Sequence, residues 1–205
     1  MKKKRIGIVI AALALVAAIG IGATLAYFTD SDSANNTITF GHVDIDLDEP
    51  QFEENTEDNT IEDVTPGQEI VKDPTITAKA NSAAMYIRAK IEYVGLTDEQ
   101  AAELEALITF ANGWVKGTDG YYYYQSEISS STQDQEIAFF TKVTIPTSWG
   151  NELADASIQI NVTAEAIQAD NFTPTTDSEG TIVGWKTTAG ADVTAETYAE
   201  TTGEN

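Results

Sequence analysis

The sequence predicts an all-β domain, an antiparallel β-sandwich with one inserted α-helix, preceded by an N-terminal signal helix and followed by a flexible tail. Three observations carry that prediction. Several short runs alternate apolar and polar side chains, the period of a strand with one buried face. Gly, Pro and Asp-Gly turn signals separate those runs, and only one stretch switches to a helical period. The 205 residues are 42% apolar and include 3 Trp, 8 Tyr and 7 Phe, enough to build one core.

Lys2-Lys3-Lys4-Arg5 precedes an uncharged run from Ile6 to Ala26. Thr24 and Ala26 place small side chains where a signal peptidase reads them, so residues 1–26 are expected to be a signal peptide cleaved before Tyr27. An uncleaved anchor is the plain alternative, because roughly 20 apolar residues can span a bilayer. Either way residues 27–205 are expected outside the cytoplasm, touching the membrane only through an uncleaved signal.

Asn36–Leu47 alternates, with Ile38, Phe40, Val43, Ile45 and Leu47 apolar and a phase shift at Gly41 that suggests a bulge. Asp48–Asp63 holds eight acids and no base, and reads as a solvated loop. Ile70–Ala78 alternates again, with Pro74 arguing for an edge strand or a strand break. Ala84–Val94 places Met85, Ile87, Ala89, Ile91 and Tyr93 on one face, and Tyr86, Arg88, Lys90 and Glu92 on the other. Thr97–Ala111 is the helix, opened by a capping box from Thr97 and Gln100 and ended by Gly113. Trp114–Lys116 and Tyr121–Tyr124 form a hairpin around Gly117-Thr-Asp-Gly120. Glu136–Ile145 and Ala156–Ile167 are two further strands, separated by Pro146–Leu153. From Thr173 the sequence is rich in Thr and acids, so 173–205 reads as an acidic tail with at most a short strand around Thr181–Lys186.

Charge and composition exclude several classes of function. Eleven Lys and Arg face 33 acids, a net of −22; without the first four bases, 7 remain against 33, a net of −26. Such a surface repels a phosphate backbone, so nucleic acid is not a partner. With no Cys and only His42, neither a Cys-ligated zinc site nor a site needing two imidazoles can be built. His42 would also have to serve any Ser-His-Asp arrangement, and no Gly-x-Ser-x-Gly turn is present. The catalytic set is therefore empty, and no cofactor is expected. Calcium has weak candidates in Asp44, Asp46 and Asp48. Their spacing imitates the start of a helical calcium loop, but Glu49 and Asn55 stand where that loop needs Gly and an acid. A solvated strand face explains the three equally well. In the hairpin, alternate tyrosines of Tyr121–Tyr124 facing outward would stack on sugar or protein; core packing is the plain alternative.

The run Gly22-Ala-Thr-Leu-Ala-Tyr-Phe-Thr-Asp-Ser-Asp-Ser-Ala-Asn-Asn-Thr37, continuing to Phe40-Gly-His-Val-Asp-Ile-Asp-Leu47, resembles the TasA/camelysin family of exported Gram-positive proteins. The likeness extends to Thr65-Pro-Gly-Gln-Glu-Ile-Val-Lys-Asp-Pro-Thr75 and to Ile158–Phe172, so 27–172 would be the family domain. It implies a jelly-roll sandwich, a signal peptidase of the SipW type, and a biofilm-matrix fibre subunit on the cell surface. Subunits would self-assemble by donor-strand exchange, with or without a minor matrix subunit. The assembly strand would use Tyr27, Phe28, Ile38, Phe40, Val43, Ile45 and Leu47. A cell-surface adhesin using the Tyr-rich hairpin is the alternative, and a camelysin-type metallopeptidase is a third reading that the motifs disfavour.

Overall fold

Alternation along Met85–Val94 builds β4, which pairs antiparallel over its whole length with β10 (Gln159–Gln168). The hairpin β6 (Trp114–Lys116) and β7 (Tyr122–Tyr124) adds to the other side of β4, giving the order β10-β4-β7-β6. These elements belong to a computed structural model that describes residues 42–56, 61, 64–150 and 157–194. Every described element lies within the unit Gly41–Asn205. The expected signal segment, its expected cleavage site and Gly41 fall outside the described residues, as do Tyr27, Phe28, Ile38 and Phe40.

The second layer consists of two three-stranded antiparallel sheets. One has the order β1 (Ile45–Asp48), β3 (Thr75–Ala78), β8 (Gln135–Ala138); the other runs β2 (Glu69–Val71), β9 (Phe140–Thr144), β5 (Ile108–Phe110). Two backbone segments pass from one sheet to the other. Lys72-Asp73-Pro74 separates β2 from β3, and Phe139 separates β8 from β9. The two breaks face each other, since Phe139 N–H donates to Pro74 C=O at 2.8 Å. The strand break expected at Pro74 is therefore present, and it turns a corner of the sandwich. Phe139 is fully buried there, its ring 4.8–5.5 Å from those of Trp114, Tyr122, Phe140 and Phe110. Around it Ile76, Ile87, Leu104 and Val143 complete the main core, so the all-β sandwich with little helix predicted from the sequence is the fold.

Three expectations need correction. The helix α2 (Asp98–Glu105) keeps the predicted Thr97–Gln100 capping box but ends well before Ala111. Ile108–Phe110 instead joins β9 as β5; ladder bonds and burial of Ile108 outweigh the helical spacing of Leu107, Ile108 and Ala111. The acidic run is not all solvated loop, because a short helix α1 (Pro50–Asn55) forms within it. Phe52 is buried beneath that helix, and the carboxylate of Asp73 accepts from the Gln51 and Phe52 N–H groups at 3.0–3.1 Å. Finally, the segment after Thr173 is not simply a tail. β11 (Phe172–Thr176) and β12 (Ile182–Thr187) form a hairpin that includes the expected short strand, and Trp185 and Val193 are buried. Residues 195–205 lie outside the described part.

Candidate functional site

Of the sequence-predicted assembly strand, the structure describes Val43, Ile45 and Leu47. Ile45 and Leu47 lie on β1, where they face Ala78 and Ile76 of β3, and all three pack half-buried against the main core. On its other side β1 has no paired strand among the described residues. β10 is likewise an edge of its own sheet, and it carries Ile160, Val162 and Ala164, also half-buried against that core, with Ile158 just before it. Two sheet edges with incompletely covered apolar side chains thus lie at one corner of the sandwich, and β1 and β10 are in contact there. The residues entering β1 are those that precede it in the sequence.

The other face of the four-stranded sheet holds a polar centre that the alternation pattern did not reveal. Arg88, placed among the solvent-facing residues of β4, is completely buried. Its guanidinium stacks 3.9 Å from the Tyr121 ring centroid and 4.7 Å from that of Trp185. Nε donates to Glu165 at 2.7 Å and Nη1 to the Val193 C=O at 3.0 Å, while Tyr123 Oη donates to Asp119 at 2.7 Å. Tyr121 Oη donates to the second Glu165 oxygen at 2.9 Å. Burial, and then that hydrogen bond to Glu165, push the Tyr121 phenol up to about 12. Burial and Asp119 push Tyr123 upward in the same way.

The hairpin tyrosines accordingly do not stand out in solvent. Tyr121 and Tyr123 pack in the outer cluster with Ile182 and Trp185; Tyr122 and half-buried Tyr124 pack against the main core with Phe110 and Trp114. An adhesive face made of alternate tyrosines is not there, because the β11–β12 hairpin covers the outer side. The signal that could have revealed this is Trp185, a large apolar residue in a segment with few others.

His42 is exposed, and its C=O accepts from Ala83 N–H at 3.0 Å. Asp44, Asp46 and Asp48 are all exposed, with Asp46 2.5 Å from Lys79 Nζ. Among the described residues no group of three or more His, Asp or Glu side chains is placed to hold a metal ion.

Comparison with known proteins gives one family. A family model described as camelysin metallo-endopeptidase matches residues 1–104, from the first residue through most of α2. No curated protein and no solved structure matches.

Proposed function

The protein belongs to the camelysin metallo-endopeptidase family, and on that premise we propose that it is an extracellular fibre subunit of a surface matrix, joined to its neighbours by donation of its N-terminal strand. The single observation that carries this reading is the corner between β1 and β10, where two sheet edges leave apolar side chains half-covered. A strand from a neighbouring subunit, led by Tyr27 and Phe28 and continuing through Ile38 and Phe40, has the apolar residues to fill it. Removal of residues 1–26 by a SipW-type peptidase would release that strand from its membrane tether. Deleting Tyr27–Asn35 is expected to leave a folded monomer that forms no fibres in negative-stain images. Equally good fibres at matched concentration and pH would refute the proposal. Because the subunits carry a net of −26 after cleavage, assembly should also accelerate as salt screens their repulsion, read by light scattering.

The family's description favours a second reading, a metallo-endopeptidase. The donor set does not fit that chemistry. A zinc peptidase of the helical type takes two imidazoles and a carboxylate base, whereas this protein has a single histidine, the exposed His42. Casein cleavage by the purified protein, abolished by a chelator and restored by zinc, would select the peptidase.

A further inference from the structure

β4 is paired with β10 along its full length, but on its other side β7 covers only Arg88 and Ala89. Met85 and Ile128 exchange both backbone hydrogen bonds at 2.9 Å, so Met85 turns its N–H and C=O toward the β7 side. Alternation turns Ile87, Ala89, Ile91 and Tyr93 the same way. Beyond Ala89 the neighbouring strand has ended, and Ile91 and Tyr93 present their N–H and C=O groups with no backbone partner on that side among the described residues. Ile91 and Tyr93 line a cleft of about 490 Å³, walled by Ala101, Ala102 and Glu105 of α2 and by Lys116 and Tyr122 of the β6–β7 hairpin.

The side chains around the cleft point to a ligand. Tyr93 Oη is buried beside the Glu105 carboxylate. Burial, and then the charge of the nearby Glu105 carboxylate, hold the Tyr93 phenol protonated. That carboxylate already accepts from Lys116 Nζ and from Tyr122 Oη, the latter at 2.7 Å. Lys90 stands where the cleft meets a smaller hollow lined by Glu92, Tyr121 and Thr163. Every other described Lys or Arg holds a carboxylate: Lys72, Lys79, Arg88, Lys116, Lys142 and Lys186 all do. In a protein with 33 acids, an ammonium with no ion-pair partner among the described residues, beside an open strand edge, favours an incoming carboxylate.

We propose that this cleft binds an extended peptide carrying an acidic side chain, added as a short strand to the open edge of β4. Ile91 and Tyr93 supply the ladder bonds, and small or apolar peptide side chains face Ala101 and Ala102. The peptide carboxylate meets Lys90. Asp98 and Glu105 line the helix side, so the acid is accepted only at the Lys90 end, which fixes the direction of the peptide. Two outward-facing residues accommodate a segment of about four residues. This site is separate from the β1–β10 corner and does not depend on how subunits join.

The test titrates the ¹⁵N-labelled full-length protein with a synthetic hexapeptide, acetyl-Thr-Glu-Val-Thr-Val-Thr-amide. Two control peptides carry Lys in place of Glu, or N-methyl groups on alternate amides. The Ile91 and Tyr93 amide signals should shift, and the N-methylated peptide should bind about tenfold more weakly, the equivalent of one net hydrogen bond. Lys90→Gln should weaken the acidic peptide about threefold, as for an exposed ion pair, and leave the melting temperature unchanged. Unshifted Ile91 and Tyr93 amides at millimolar peptide would overturn the proposal. So would equal affinity for the N-methylated copy.

Discussion

The two faces of the four-stranded sheet solve the burial of a strand in different ways. On the inner face Met85, Ile87, Ala89 and Ile91 meet Phe139, Phe140 and Val143 across a wholly apolar contact. The outer face buries a cation instead, with Arg88 held between two rings, a carboxylate and a backbone carbonyl. An apolar core tolerates adjustment, because each contact is weak and undirected. The charged one is all-or-none, since its donors and acceptors satisfy one another only when every element is in place. The difference teaches that the β11–β12 hairpin and the segment after it cover a charge as well as apolar side chains.

Several variants would break or sharpen this contrast. The largest effect is expected from Phe139→Ala, which opens a void where both strand corners meet and should lower unfolding stability by about 4 kcal/mol in denaturant melts. Arg88→Ala should follow at about 3 kcal/mol, because it leaves Glu165 buried without its partner. Replacing both members, Arg88→Met with Glu165→Leu, should recover much of that loss. If the double variant is as unstable as the sum of the single ones, the outer face is not held by a coupled pair.

A third expectation concerns pH. The Tyr121 phenol is raised from 10.0 to about 12, first by burial and then by Glu165, so the folded state holds its proton more tightly than the unfolded state does. Its contribution is complete below pH 10 and is lost as pH rises from 10 toward 12. Melting temperatures followed across that window should fall, and Tyr121→Phe should flatten the fall. The smallest effect belongs to Thr97→Ala, which removes the α2 cap for about 1 kcal/mol and should leave the outer face untouched.

Much of the inner face could be read from the sequence, since alternation in β4, the Thr97–Gln100 box and the Gly117–Gly120 turn are local signals and each produced its element. The outer face could not. Arg88 looks like an ordinary solvent-facing residue of an amphipathic strand until Trp185, almost a hundred positions later, covers it. The same limit explains α1, where Phe52 and Asp73 stabilise one turn of helix inside an acidic run. It also explains the early end of α2, where pairing of Ile108 with Val143 decides the conformation. At the candidate assembly corner the alternation placed Val43, Ile45 and Leu47 on one face. The open edge beside β10 depends on sheet order, which no local pattern records.

The bond from Arg88 to Val193 spans 105 positions, and the one to Glu165 spans 77. A ribosome adding about 5–20 residues per second needs roughly 5–20 s to travel from the first of these residues to the last. Early in that interval only the strands up to β9 can pair, while Arg88 waits for β10 to bring Glu165 and for the later segment that covers it. The domain therefore closes in two stages, an apolar one that proceeds with synthesis and a charged one that waits for the final twenty or so residues. A polypeptide ending before Val193 would keep its strands and lose the latch.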